Sequence, residues 1–203
     1  MNKKPKWVIF DVGQVLYDYL GFLDHAATHL NIENVLLKSE LDEIVEKSMK
    51  GEMTFEKVWG QVLKAHGKEN ELEKILEIHW DSKKFIVDTK HLIKQLHNKG
   101  YSIALFTNNW PNTTERILKN IDEDLSIIKH MFESSVEHLS KPDKQFYELV
   151  EKKTGAKADE IFFIDDRDIN LTTAEMLGWQ TFLYKLGTDG GKTSNENIRK
   201  LLL

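Results

Sequence analysis

The stretch Trp7-Val8-Ile9-Phe10-Asp11-Val12-Gly13-Gln14-Val15-Leu16 decides the fold. Four apolar, β-forming residues run into an aspartate and then a glycine, which reads as a short buried strand ending at a turn. A carboxylate where a buried strand meets a loop is costly unless it meets a metal, a base or a hydrogen-bond donor. Asp11 can equally be a turn cap, a common role at strand ends. This stretch alone leaves both readings open.

Working outward, residues from about Tyr19 to Asp81 read as helices. Leu41, Ile44, Val45, Ser48 and Met49 follow helical spacing, with Ser39 and Asp42 placed as a capping box. Phe55, Val58, Trp59, Val62 and Leu63 repeat the stripe behind Thr54 as N-cap, and Leu72, Ile75, Leu76, His79 and Trp80 form a third. Gly51 and Gly67 suit the helix ends, and nothing in this region reads as a strand. From Lys84 the pattern changes. Leu92, Ile93 and Leu96 make a helix capped by Asp88 and stopped by Gly100. Tyr101 to Phe106 is a buried strand ending in Thr107-Asn108-Asn109, and a helix is expected from about Thr113 to Ile121. Met131 to Ser135 is a candidate strand. Pro142 is expected to open a helix that runs to about Thr154. Ile161-Phe162-Phe163-Ile164 is the clearest strand and ends in Asp165-Asp166. A helix to Leu177, a strand Gln180 to Tyr184 and a last helix from about Asn195 follow.

Unbroken apolar strands alternating with helices imply a parallel sheet covered on both faces. The expected fold is therefore a doubly wound, Rossmann-like α/β sheet, built from residues 1–16 and 84–203, with an α-helical bundle inserted at 17–83. A chain of 203 residues that is 40% hydrophobic and 30% charged suits such a core. The net charge of −5 argues against nucleic acid or an anionic membrane as the main partner. With no cysteine, disulfides and thiolate metal sites are excluded. The basic N-terminus leads into an apolar run too short for a secretory signal. The expectation is a cytoplasmic protein, a monomer or weak homodimer, without nucleic acid or membrane among its partners.

In an open parallel sheet, ligands bind beyond the carboxyl ends of the strands. Asp11, Thr107 with Asn108, and Asp165 with Asp166 fall at three such ends, and Lys141 lies in the connection before the helix at Pro142. At this point the chain resembles the haloacid dehalogenase superfamily, and its phosphatases in particular, over nearly its whole length. Phe10-Asp11-Val12-Gly13 resembles the nucleophile motif, Thr107-Asn108 the second, Lys141-Pro142 the third, and Phe163-Ile164-Asp165-Asp166 with Asn170 the acidic fourth. A helical cap after the first strand is a subgroup layout. Gly51-Glu52-Met53-Thr54 resembles a run in the caps of small bacterial phosphatases of sugar 1-phosphates, glucose 1-phosphate among them.

The resemblance implies that Asp11 attacks phosphorus and forms an aspartyl-phosphate, splitting one hard hydrolysis into two easier steps. It implies Mg²⁺ held by Asp11, the backbone carbonyl of Gly13 and Asp166, with Asp165 supporting the site from behind. Lys141 would neutralise charge on nucleophile and phosphate; Thr107 and Asn108 would bind phosphate oxygens. The implied partner is a small phosphorylated metabolite. One departure stands out. Most phosphatases of this superfamily carry a second aspartate, the general acid–base, where this chain has Gly13. Asp18, Asp24 and His25 are the nearest candidates to replace it. The gap keeps two other readings in play: a metal-independent haloacid dehalogenase, against which Asp165-Asp166 speaks, and a non-catalytic binding protein.

Other features carry less. His25 and His29 are spaced i,i+4 without a third ligand and read as a helix surface. Trp110 suits the pocket or the core. Gly191-Lys192-Thr193 lacks the glycine that a phosphate-binding loop requires, since position 186 is leucine.

Overall fold

The computed structural model describes residues 4–19, 21–111, 113–114 and 127–203, with the backbone alone at 42, 43, 46 and 47. Five parallel strands form the central sheet: β1 (Trp7–Phe10), β4 (Ser102–Thr107), β5 (Ile128–Glu133), β6 (Ile161–Asp165) and β7 (Gln180–Leu183), in spatial order β5-β4-β1-β6-β7. The chain moves outward on one side of β1, then crosses back and continues on the other. This reversal of direction puts the ligand crevice at the carboxyl end of β1.

The alternation of side chains explains why these strands are unbroken apolar runs. Val8 and Phe10 of β1, Ile103 and Leu105 of β4, and Phe162 and Ile164 of β6 enter one core. There they meet Leu92, Ile93 and Leu96 of α5 (Val87–Asn98) and Ile198 and Leu202 of α9 (Lys192–Leu202). Ile9, Ala104, Phe106, Ile161 and Phe163 enter the opposite core, against Phe146, Tyr147 and Val150 of α7 (Lys144–Thr154) and Leu171 and Ala174 of α8 (Asp168–Met176). Both faces are buried, as a parallel sheet requires.

Between β1 and α5 stand four helices, α1 (Phe22–Leu30), α2 (Asn34–Met49), α3 (Phe55–Ala65) and α4 (Leu72–Asp81). They bury a core of their own around Leu30, Leu37, Val58, Trp59, Leu63 and Ile75. Thr54 caps α3 by accepting from the Lys57 N–H at 3.4 Å. Where the chain leaves and rejoins the sheet, β2 (Tyr17–Asp18) and β3 (Lys84–Phe85) pair antiparallel. Sequence periodicity does not reveal β2, because two residues are too few to make a pattern.

Several boundaries differ from the expectation. α2 begins at Asn34, so Ser39 lies inside the helix and is not its cap. α5 begins at Val87 and Asp88 sits in its first turn without capping it. β5 ends at Glu133, and Ser134–Glu137 form a one-turn helix, α6. Pro142 does not open α7, which starts at Lys144 behind Asp143; the Lys141-Pro142 peptide is cis. α9 starts at Lys192, three residues early, because Asp189 accepts from the backbone N–H groups of Gly191 and Thr193. Of the helix expected at 113–121, only Thr113 and Thr114 are described, as helical; the rest lies outside the described residues. Among the described residues no helix is long and apolar enough to cross a membrane.

Candidate active site

Four connections at the carboxyl edge of the sheet meet at Lys141. Its ammonium is 3.0 Å from Asp11 Oδ1 and 2.6 Å from Asp165 Oδ2, and it donates to the Phe106 carbonyl at 2.8 Å. The side chain is 1% exposed. Burial alone would lower its pKa, but the charges of Asp11 and Asp165 outweigh that and hold it above its usual value. Lys141 is therefore a fixed cation tying the ends of β1, β4 and β6 together.

Asn108 secures this lysine. Its Nδ2 donates to the Lys141 carbonyl and its Oδ1 accepts from the Lys141 N–H, both at 2.8 Å. The expected phosphate ligand thus spends its amide on positioning Lys141. The Thr107 hydroxyl lies in the same cavity, and among the described residues it reaches only the Asn108 carbonyl, at 3.5 Å, the outer limit of a hydrogen bond.

Asp165 is saturated by protein. Besides Lys141, it accepts from the Arg167 N–H at 2.9 Å and from Asn170 Nδ2 at 3.0 and 3.1 Å. Asp166, the next residue, is only partly buried and lines the cavity instead. Carboxylate oxygens of Asp11, Asp165 and Asp166 all lie within 4.8 Å of one another. Asp11 is pushed up to about 7, first by burial and then by Asp165 and Asp166, with Lys141 acting the other way. Asp166 is raised too, by burial and by Asp165. Three carboxylates sharing one buried ammonium leave negative charge uncompensated, the condition a hard divalent cation relieves. Asn170 Oδ1 adds a buried oxygen that accepts no hydrogen bond among the described residues. The donor set is all oxygen and fits such a cation.

A cavity of about 280 Å³ opens over this cluster. Its floor includes Asp11, Gly13, Thr107, Asn108, Lys141 and Asp166; its roof, from the helical unit, includes Phe22, Val45, Met49 and His79. Tyr19 and Trp110 stand at the sides. Trp110 serves both uses open in the sequence: it lines the cavity, and its indole N–H donates to Ser48 Oγ of α2 at 2.6 Å while its ring meets Phe55 edge-on.

Asp18 lines a separate cleft with Lys84 and Asp189, and Asp24 bonds to Asn34 on the outside of the helical unit. Neither these two nor His25 is among the residues lining the cavity. His29 pairs with Glu71, a surface contact as its spacing suggested. Tyr19 was not singled out from the sequence, though the bare Gly13 was the signal to look for a replacement.

Residues 5–178 match the family model described as a hydrolase, haloacid dehalogenase-like. The chain belongs to that family. Among curated members it resembles the sesquiterpene phosphatase astK of Aspergillus oryzae, 30% identical over 87 residues, which cover 43% of this chain and 44% of the relative. The chain thus matches less than half the length of that relative. Among solved members, a family enzyme of Bacteroides thetaiotaomicron in complex with magnesium and inorganic phosphate superposes with a TM-score of 0.76, at 23% identity, over 91% of this chain and 96% of the other. The L-2-haloacid dehalogenase of Xanthobacter autotrophicus, with chloropropionic acid covalently bound, superposes with a TM-score of 0.68, at 15% identity, over 98% and 84%. Both likenesses show the haloacid dehalogenase fold; neither selects the reaction.

Proposed function

We propose that this chain is a Mg²⁺-dependent phosphatase of small phosphomonoesters that works through an aspartyl-phosphate on Asp11. One observation carries the reading: Asp11 and Asp166 on the cavity floor, with Asp165 buried beneath it, converge with a single buried ammonium. A haloacid substrate needs no cation, and Asp166 would then be an uncompensated carboxylate beside the nucleophile.

Asp11, the Gly13 carbonyl and Asp166 would hold Mg²⁺, and Asp165 would stand behind them, fixing Lys141 and Asn170. The ion supplies charge neutralisation between the phosphate and the attacking carboxylate. Lys141 favours the ionised form of Asp11 against the burial that raises it, aims the carboxylate, and meets charge on the phosphoryl oxygens. The Thr107 hydroxyl donates to one of those oxygens. Asn108 fixes Lys141 in line. The helical unit 17–83 acts as a cap that excludes water from the crevice.

The roof bears on the substrate. Phe22, Val45, Met49, Tyr19 and Trp110 offer flat or apolar surface to the leaving group. Aryl phosphates and sugar 1-phosphates, whose rings stack on aromatic walls, suit it better than extended polyols. A cytoplasmic monomer or weak dimer acting on phosphorylated metabolites goes with this reading.

Phosphate release from 4-nitrophenyl phosphate, with Mg²⁺ and with EDTA, tests it. Metal-dependent turnover is expected. Halide release from 2-chloropropionate without metal would select the dehalogenase instead, and inactivity toward both would leave a binding protein.

A further inference from the structure

Gly13 carries no side chain, yet the space beside it is filled. A Cβ built on Gly13 would lie 2.8 Å from Tyr19 Cε1 and 3.3 Å from its hydroxyl oxygen, and its three nearest neighbours all belong to Tyr19. The residue is 46% exposed and lines the cavity, so it is not a core ring that carries a hydroxyl incidentally.

Tyr17, His79 and Thr107 line the cavity as well, but the three atoms nearest a Cβ on Gly13 all belong to Tyr19, and the neutral donors flanking the site are committed. Asn108 holds Lys141, Asn109 Nδ2 donates to Thr114, and the Trp110 indole donates to Ser48. The Tyr19 hydroxyl makes no hydrogen bond among the described residues, and a phenol is protonated at neutral pH. Arg167 also lines the cavity, but none of its atoms is among the three nearest a Cβ on Gly13.

We propose that the Tyr19 hydroxyl donates a hydrogen bond to the ester oxygen as it leaves, from the place beside Asp11 where Gly13 offers no group. The inference rests on the phosphatase reading. The Asp11 Oδ–P bond forms as the ester P–O bond breaks, and that electron pair stays on the ester oxygen. Tyr19 stabilises the developing charge but keeps its proton, and the departed oxygen takes a proton from water. A second water then bonds to phosphorus, the Oδ–P bond breaks, and the Asp11 carboxylate returns while the water proton passes to solvent. Tyr19 is thus a donor without being a base, so it assists the first step and leaves the second unassisted.

The test is Tyr19→Phe, which keeps the ring and removes the hydroxyl. Initial rates with Mg²⁺ are read across esters from 4-nitrophenyl phosphate to glycerol phosphate. Removing one oriented donor to a developing oxyanion lowers rate by about 10²-fold. Such a loss is expected for alkyl esters, with 4-nitrophenyl phosphate changed by no more than about threefold. Orthovanadate, whose apical oxygen stands where the leaving oxygen would, should bind about tenfold more weakly, with inorganic phosphate affinity unchanged. A uniform loss across the series, no loss, or equal weakening of vanadate and phosphate would overturn the role of Tyr19 and leave the phosphatase standing. A wild type that hydrolyses none of the esters would overturn both.

Discussion

At the scale of single residues the site is an electrostatic problem that the chain leaves unfinished, and Asp11 shows it best. Raised to about 7, the metal-free folded chain keeps a proton that an unfolded chain releases above about pH 4. Below that pH both states are protonated and no penalty exists. It grows as pH rises toward 7 and is complete above it. Asp11→Asn should therefore stabilise the metal-free protein at pH 8, by on the order of 2–4 kcal/mol, and do little at pH 4. The same change should lower turnover at least about 10³-fold. Thermal melts at both pH values and an ester assay check this; equal melting shifts at the two pH values, or retained turnover, would contradict it. Asp166→Ala should weaken the Mg²⁺ dependence of activity more than Asp165→Ala, because Asp165 is occupied by Lys141, Asn170 and the Arg167 N–H while Asp166 faces the cavity. Asp165→Ala should instead lower thermal stability, since it strips a buried ammonium of its closest partner. Magnesium titrations and melts of both variants read the two effects, and the reverse order would show the assignments exchanged. Asp11, Lys141, Asp165 and Asp166 were legible in sequence because each sits at a strand end or in a short connection whose place the topology dictates. Tyr19 was not. It reaches the site from an irregular segment, where no period says which way a side chain turns.

At the scale of elements, strands were easier to read than the joints between them. A parallel strand buried on both faces announces itself as an apolar run, so β1, β4 and β6 fell within a residue of their expected bounds. Helix starts depend on single hydrogen bonds, and these misled: Ser39 and Pro142 carry the chemistry of a start, but the chain begins its helices elsewhere. Gly191 shows what a joint can demand. At φ +82° it passes so close to Tyr184 that a Cβ would lie 1.9 Å from the hydroxyl. That hydroxyl is buried and bonds to Thr89 at 2.9 Å and to Asn195 at 3.2 Å, joining β7's end to α5 and α9. Gly191→Ala should cost about 1–3 kcal/mol. Denaturant unfolding reads this, and a wild-type midpoint would mean that the ring moves aside freely. The glycine was visible in sequence as a poor phosphate loop; its actual service to Tyr184, seven residues away, was not.

At the scale of the whole molecule, the helical unit is seated on the sheet edge through a few contacts. His138 donates to the Lys50 carbonyl at 2.9 Å, Lys50 pairs with Asp143 at 3.2 Å, and Trp110 reaches Ser48. Gly51 makes the closest approach: a Cβ there would lie 2.4 Å from the Ser135 carbonyl oxygen, at φ +86°. Gly51→Ala should therefore push the unit off the edge, lowering kcat/KM roughly tenfold and enlarging the particle in small-angle scattering, with β-sheet signal unchanged. Unchanged kinetics and scattering would show that the seat tolerates the methyl group. That the unit exists was legible from helical periodicity; how it sits was not, because its seat is made by backbone atoms, which leave no mark in a hydrophobic pattern. The strand order has a consequence for how the protein is made. β1 leaves the ribosome before the other strands of its sheet, and both its neighbours come far later, at residues 102–107 and 161–165. At about 5–20 residues per second, Val8, Ile9 and Phe10 wait for several seconds as an unpaired apolar edge. The helical unit, complete by Asp81, can fold during that delay. The nascent chain is thus a finished helical unit behind an orphan strand, and Asp11 does not meet Lys141 and Asp165 until most of these residues have been synthesised.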